Sequence, residues 1–388
     1  MRPDLFFLFH TFFKIGATSF GGHAALVSVL QKEFVEKKGI ITEEDILDGL
    51  SIASFLPGPL AVNVVTLVGY KLRGWVGAII SMTAVLLPPF VLMIIIAELY
   101  ARYSDLGPVE GFLKGVAPVI IALILSMCHK MFINNMSKPW QYTLLLLVLL
   151  SSFFFNGYLW IVLYITVGGA IGYFFTSKKR INVNENLDGP VNTNWPQLFS
   201  GIVIIVVGFT FLFVFLEGTL HQLLYEFTRI SLTLFGGGYV MVPILHDIVV
   251  DSLGWLSTDE FTNAIAFGQM TPGPILVSAT YIGYKMGGTI GALLATVGIF
   301  LPSAALMVCV GNVFESIKES PVFDGILMGV RAVIIALIAF SAWTLFSPLE
   351  QKLFSGVMAA MSWYLITYKK VNYLLVILVA GVVGLLFL

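Results

Sequence analysis

The sequence predicts an all-α polytopic membrane protein made of two inverted repeats with broken helices. Three observations predict it. Hydrophobic residues make up 58% of the 388 positions and charged residues only 11%, where soluble proteins carry roughly a quarter charged. A chain so apolar would expose more apolar surface than a soluble monomer tolerates, so lipid is its solvent. Apolar runs near the roughly 20 residues that a spanning helix needs recur along its whole length. One set of helix-breaking motifs also occurs twice, in the same order.

That set is Phe20-Gly21-Gly22, Pro57-Gly58-Pro59, Gly69-Tyr70-Lys71 and Leu87-Pro88. It returns as Phe235-Gly236-Gly237, Pro272-Gly273-Pro274, Gly283-Tyr284-Lys285 and Leu301-Pro302. The offset is 215 positions through Pro-Gly-Pro and 214 beyond it, so the second copy is one residue shorter between those motifs.

In chain order, the first half holds apolar segments near 5–30, 46–70, 75–98, 112–134, 140–155 and 157–175. The second holds 197–216, 220–246, 260–284, 288–313, 325–347, 349–366 and 371–388, which makes about thirteen in all. The polar run 177–196, with Lys178-Lys179-Arg180 and Asp188-Gly189-Pro190, is a linker on the cytoplasmic side. It separates a first repeat, 1–176, from a second, 197–388. Thr42-Glu43-Glu44-Asp45 and Ser257-Thr258-Asp259-Glu260 read as matching helix starts, with acids at the positive helix end. Lys and Arg placement favours a cytoplasmic N-terminus. The copies start seven segments apart, an odd number, so they lie upside down relative to each other.

Composition also excludes function classes. Net charge is −1 and there are two cysteines, Cys128 and Cys309, with no CxxC. No redox motif, metal cluster, nucleotide fingerprint or nucleic-acid partner is expected, and no cofactor. The chain reads as a non-enzyme whose partners are the bilayer and a small solute. Its oligomeric state, a homo-oligomer included, is left open.

The candidate residues sit in or near the breaks. Lys14 and Arg229 each lie six positions before the Phe of Phe-Gly-Gly. A charge in hydrocarbon is costly and faces a cavity, a partner or a substrate, although a lysine or arginine can also snorkel to the interface. Gly21, Gly22, Gly236 and Gly237 weaken helix by roughly 1 kcal/mol each relative to Ala. They serve close packing or mark a break. In Pro-Gly-Pro, two prolines remove two backbone donors. Lipid-facing backbone cannot stay unpaired, so the break belongs inside the protein. The helices restarting after Pro59 and Pro274 offer free amides and a positive dipole end, suited to an anion. Asn63, Gln269, Thr271 and Ser278 are the nearby polar side chains that can complete such a shell, or else bond their own helix backbone. No acid stands in mid-segment, and His23 reads as a packed or interfacial histidine.

The paired motifs resemble the chromate ion transporter family, in its long two-domain form. The resemblance covers nearly the whole chain except the linker and the last two or three segments. It implies bacterial inner-membrane export of chromate, with chromate resistance, and two halves of opposite orientation. The family positions that match are Pro57, Gly58, Pro59, Gly21, Gly22 and their second-half equivalents. Lys14 and Arg229 rest on placement alone. The expected function is therefore transport of a tetrahedral oxyanion, chromate first. Inward permeation of sulfate or a related oxyanion is the alternative, and a membrane chromate reductase a more distant one.

Overall fold

A computed structural model describes residues 3–20, 22–176, 195–233, 241–311 and 321–388. Among the described residues it has 15 α-helices and no strand. The first half contributes α1 (Leu5–Thr18), α2 (Gly22–Gln31), α3 (Glu43–Phe55), α4 (Leu60–Tyr103), α5 (Gly107–Asn135), α6 (Pro139–Ser152) and α7 (Tyr158–Thr176). The second contributes α8 (Trp195–Phe215), α9 (Gly218–Thr233), α10 (Met241–His246), α11 (Thr258–Met270), α12 (Ser278–Gly311), α13 (Pro321–Phe346), α14 (Lys352–Thr367) and α15 (Tyr373–Phe387). Most of the linker, 177–194, lies outside the described residues. Its last two positions, Trp195 and Pro196, already belong to α8.

Among the described residues, five helices are long and apolar enough to cross a bilayer: Leu60–Tyr103, Gly107–Asn135, Tyr158–Thr176, Ile275–Gly311 and Asp324–Phe346. Leu5–Thr18, Pro139–Ser152, Ile205–Phe215 and Tyr373–Phe387 are apolar but shorter. At about 1.5 Å per residue, α4 would span twice a bilayer core if straight. It is not straight. Arg73 (φ −143°, ψ 21°) and Gly74 (φ 62°, ψ −152°) interrupt it, at the boundary the sequence predicts between segments 46–70 and 75–98.

Local geometry recurs at the spacing of the motifs. Gly287 (φ −149°, ψ 24°) and Gly288 (φ 60°, ψ −152°) bend α12 as Arg73 and Gly74 bend α4. A π-helical turn follows α2 at Lys32–Glu36 and follows α10 at Asp247–Ser252. Gly39 and Gly254 share a left-handed φ, 58° and 60°. In each copy the side chain three residues past the cap closes a capping box. Asp45 accepts from Thr42 N at 3.0 Å while Asp45 N donates to Thr42 Oγ1 at 3.1 Å. Glu260 accepts from Ser257 N at 2.9 Å and Glu260 N donates to Ser257 Oγ at 3.2 Å. These recurrences lie between α2 and α4 in the first half and between α10 and α12 in the second.

The chain forms two compact units, and neither follows the halves of the sequence. The first comprises Met1–Ile94, Arg180–Gly238 and Thr271–Ser320; the second, Ile95–Lys179, Tyr239–Met270 and Pro321–Leu388. In the second unit, small residues set the helix crossings. Gly325 and Gly329 of α13 lie against Gly172 and Gly168 of α7, with no room for a methyl between the backbones. Gly115 of α5 meets Gly384 of α15 in the same way. Lipid supplies no hydrophobic drive for helix association, so close backbone approach through glycine does that work.

Candidate functional site

Both Pro-Gly-Pro breaks lie in the first unit, together with the end of α1. The helix α3 stops at Phe55, and Leu56 is already extended. Pro57, Gly58 and Pro59 are buried, and α4 restarts at Leu60 with its first bond from Asn63 N to Pro59 O, 3.0 Å. The second break follows α11. Pro272, Gly273 and Pro274 are buried, and a 3₁₀ turn at Ile275–Val277 leads into α12. Gly58 (φ 104°) and Gly273 (φ 100°) adopt a backbone that only glycine takes without strain.

The two breaks touch the opposite copy. The space beside Gly58 is filled by Ser303, next to Pro302 of the second copy. The space beside Gly273 is filled by Pro89, next to Pro88 of the first; its Cγ would lie 3.0 Å from an added methyl. Counting from the motifs, Ser303 and Pro89 are counterparts, so the contacts are reciprocal. The Gly273 amide also donates to Ser19 O at 2.8 Å. Ser19 follows α1 directly, where the chain breaks before α2, and its hydroxyl donates to Ile15 O at 2.6 Å. This contact uses the Gly273 N–H and leaves untouched the amides after Pro274, which are the ones the sequence reading assigned to an anion.

Asn63 stands four residues after Pro59, and Ser278 four after Pro274. Both are fully buried. Asn63 Nδ2 donates to Pro57 O at 3.2 Å, which braces the break. Asn63 Oδ1 and Ser278 Oγ are buried without a hydrogen-bond partner. Buried polar atoms are paired in the great majority of cases, so such exceptions mark strain, water or a ligand. Thr271 is buried in this unit, and Gln269 is buried in the second. Thr280, another small polar residue that the sequence places near the second break, shares a 2.8 Å hydrogen bond with Thr296 inside the first unit. Gly22 opens α2; Gly21, Gly236 and Gly237 lie outside the described residues.

The two basic residues carry acidic neighbours, one distant in sequence and one a helical turn away. Lys14 Nζ bonds Glu33 Oε1 at 3.1 Å, and Lys37 Nζ bonds the same oxygen at 2.9 Å. Glu33 is 8% exposed and belongs to the π turn, not to a solvated loop. The hydrogen bond from Lys37, then that from Lys14, holds its carboxyl below the usual carboxylate range against the opposing effect of burial. Arg229 pairs with Glu226, 2.9 Å away and one turn back on α9, and sits over the Tyr225 ring. The two carboxylates are not counterparts, so the copies neutralise matching cations by different routes. At the mouth of α3, Lys71 Nζ bonds Asp45 Oδ1 at 2.9 Å. Burial pushes the Asp45 carboxyl up, but Lys71 and the two Thr42 bonds outweigh it and bring it down to about 2.

Comparisons with known proteins agree with this architecture. No solved structure matches the chain. The chain is 27% identical to an uncharacterized transporter of Methanocaldococcus jannaschii, over 100% of this chain and 95% of the relative. It is 27% identical to a probable chromate transport protein of Synechococcus elongatus, over 97% and 94%. It is also 27% identical to a chromate transport protein of Pseudomonas aeruginosa, over 97% and 91%. A model of the chromate transporter family matches twice, at residues 6–173 and 221–385, leaving out all of α8. With buried helix breaks repeated in one unit and a family match across both halves, this integral membrane protein belongs to the chromate transporter family.

Proposed function

We propose that the protein carries chromate, a tetrahedral dianion, out across the bacterial plasma membrane and so confers chromate resistance. The observation that carries this reading is the reciprocal packing of the two Pro-Gly-Pro breaks, with the unpartnered Ser278 Oγ beside them. Helix N-termini with spare amides favour an anion. Ser278 Oγ–H and Thr271 donate to its oxygens, as does the Asn63 Nδ2 proton that is not used on Pro57 O. Lys14 and Arg229 supply positive charge once the anion competes with Glu33 and Glu226 for them. The names of the relatives support chromate over other oxyanions.

In this proposal the repeats, 1–176 and 197–388, are inverted, the linker between them and the N-terminus are cytoplasmic, and α8 is an addition at the head of the second. Reciprocal contacts between copies are what a pseudo-two-fold relation produces. Such halves alternate access by rocking about a fixed site. A dianion leaving a negative interior gains about 4.6 kcal/mol at 100 mV, twice the value for one charge, so export runs downhill electrically.

The test is flux through purified protein in liposomes under an imposed potential. Chromate leaving the negative side faster than sulfate or molybdate is the expected result. Sulfate moving inward in preference to chromate would replace this reading with an inward oxyanion permease.

A further inference from the structure

The second unit contains a cavity of about 310 Å³ between the α6–α7 connection, α10 with its π turn, and α13. It lies apart in sequence from both Pro-Gly-Pro breaks, and its lining is acidic. Asp247 and Asp251 come from the π turn, Tyr164 from α7, and Ser341 and Asn156 add neutral polar groups. Among the described residues no lysine or arginine lines it. At its wall stands His246, 5% exposed, whose Nδ1 lies 3.1 Å from Asp251 Oδ2. Its Nε2 is buried and has no hydrogen-bond partner. Phe261 of α11 closes the ring off edge-on, with centroids 5.2 Å apart.

The π turn explains the pairing. His246 and Asp251 are five residues apart, positions that an α-helix turns away from each other but that π-type i→i+5 bonding brings together. With Asp251 accepting from Nδ1–H, the neutral ring holds a bare lone pair at Nε2, which is a proton acceptor. Protonation then places an imidazolium among two carboxylates. Burial is the larger effect and opposes that charge, and Asp251 favours it. Among the described residues no three His, Cys, Asp or Glu side chains are gathered to hold a metal ion. Asp251, 57% exposed at its side chain, links the ring to solvent. The first copy lacks the device, because its corresponding positions are Gln31, Lys32 and Glu36, and Gln31 bonds Glu43 at 2.9 Å.

From this geometry we infer that His246 is a proton-binding site, and that its proton is taken up and released with each transport cycle. The second clause rests on the transport reading; the first does not. The site is tested on the full chain in lipid nanodiscs, by following imidazole ¹⁵N signals with pH. His246→Gln assigns the signal, and Asp251→Asn shifts it and assigns it should His246→Gln fail to fold. The expected result is a titration between about pH 5 and 8, moved to lower pH by Asp251→Asn. A ring whose signal does not change across that range overturns the proton site. Coupling is read in liposomes with an internal pH dye. Proton movement that accompanies oxyanion flux in the parent chain should vanish in His246→Gln while oxyanion exchange persists. Proton movement unchanged in that variant overturns the coupling. A parent chain that moves no oxyanion while His246 titrates sinks the transport reading and the coupling together, and leaves the proton site standing.

Discussion

One methyl group probes the breaks at the scale of single residues. Gly58→Ala forces an L residue into a left-handed backbone, at about 1–2 kcal/mol, and drives the new methyl into Ser303. Gly39→Ala meets the same backbone penalty at φ 58° but has nothing within 4 Å. Thermal unfolding in detergent should therefore show a larger drop for Gly58→Ala than for Gly39→Ala; equal drops would mean that Ser303 yields freely. Asp45 gives a pH signature. Its carboxyl sits at about 2 when folded and near 3.8 otherwise, so the stability it lends is present above about pH 4 and fades as pH falls toward 2. Asp45→Asn should cost roughly 1 kcal/mol at neutral pH, the scale of a lost cap, and cost nothing near pH 2. The glycines and prolines of the breaks were legible in the sequence because few other residues make those backbones. Glu226, three positions before Arg229, is a neighbour that helical spacing contains. The partner of Lys14 was not legible. Glu33 reaches Lys14 across 19 positions through a π turn, and nothing in local spacing announces such a contact.

At the scale of elements, several apolar runs match single helices, because lipid enforces backbone pairing within each segment, while 5–30 and 220–246 each hold two helices. Segment 112–134 became α5, 325–347 became α13, and the bends of α4 and α12 fell between predicted segments. The π turns escaped notice, since one extra residue per turn leaves composition unchanged. The small-residue crossings make a separate prediction. Gly329→Leu places a side chain against the Gly168 carbonyl and should separate α13 from α7. Overpacking of this kind costs about 1–3 kcal/mol or more. Thermal unfolding should reveal it, and a partner change, Gly168→Leu, should not add fully, because both remove one contact.

At the scale of the whole molecule, the charge pairs and breaks predict function. If Lys14 and Arg229 serve the anion, Lys14→Ala with Arg229→Ala should slow chromate flux at least tenfold, the effect of losing about 1.4 kcal/mol at the transition state for translocation. Flux unchanged in the double variant would limit both residues to their carboxylate partners. The sequence announced two copies in tandem. It gave no sign that each compact unit would draw on both, because the contacts that join them, Gly58 with Ser303 and Gly273 with Pro89, are over 180 positions apart.

That interleaving reaches beyond transport. A polypeptide ended within 177–194 would hold only fragments of each unit, as would the remainder begun there. Made alone, either piece should be degraded; made together in one cell, the two should complement, and pull-down through a tag on one should recover the other. The chain would then behave as a covalently joined heterodimer whose tether is dispensable for assembly.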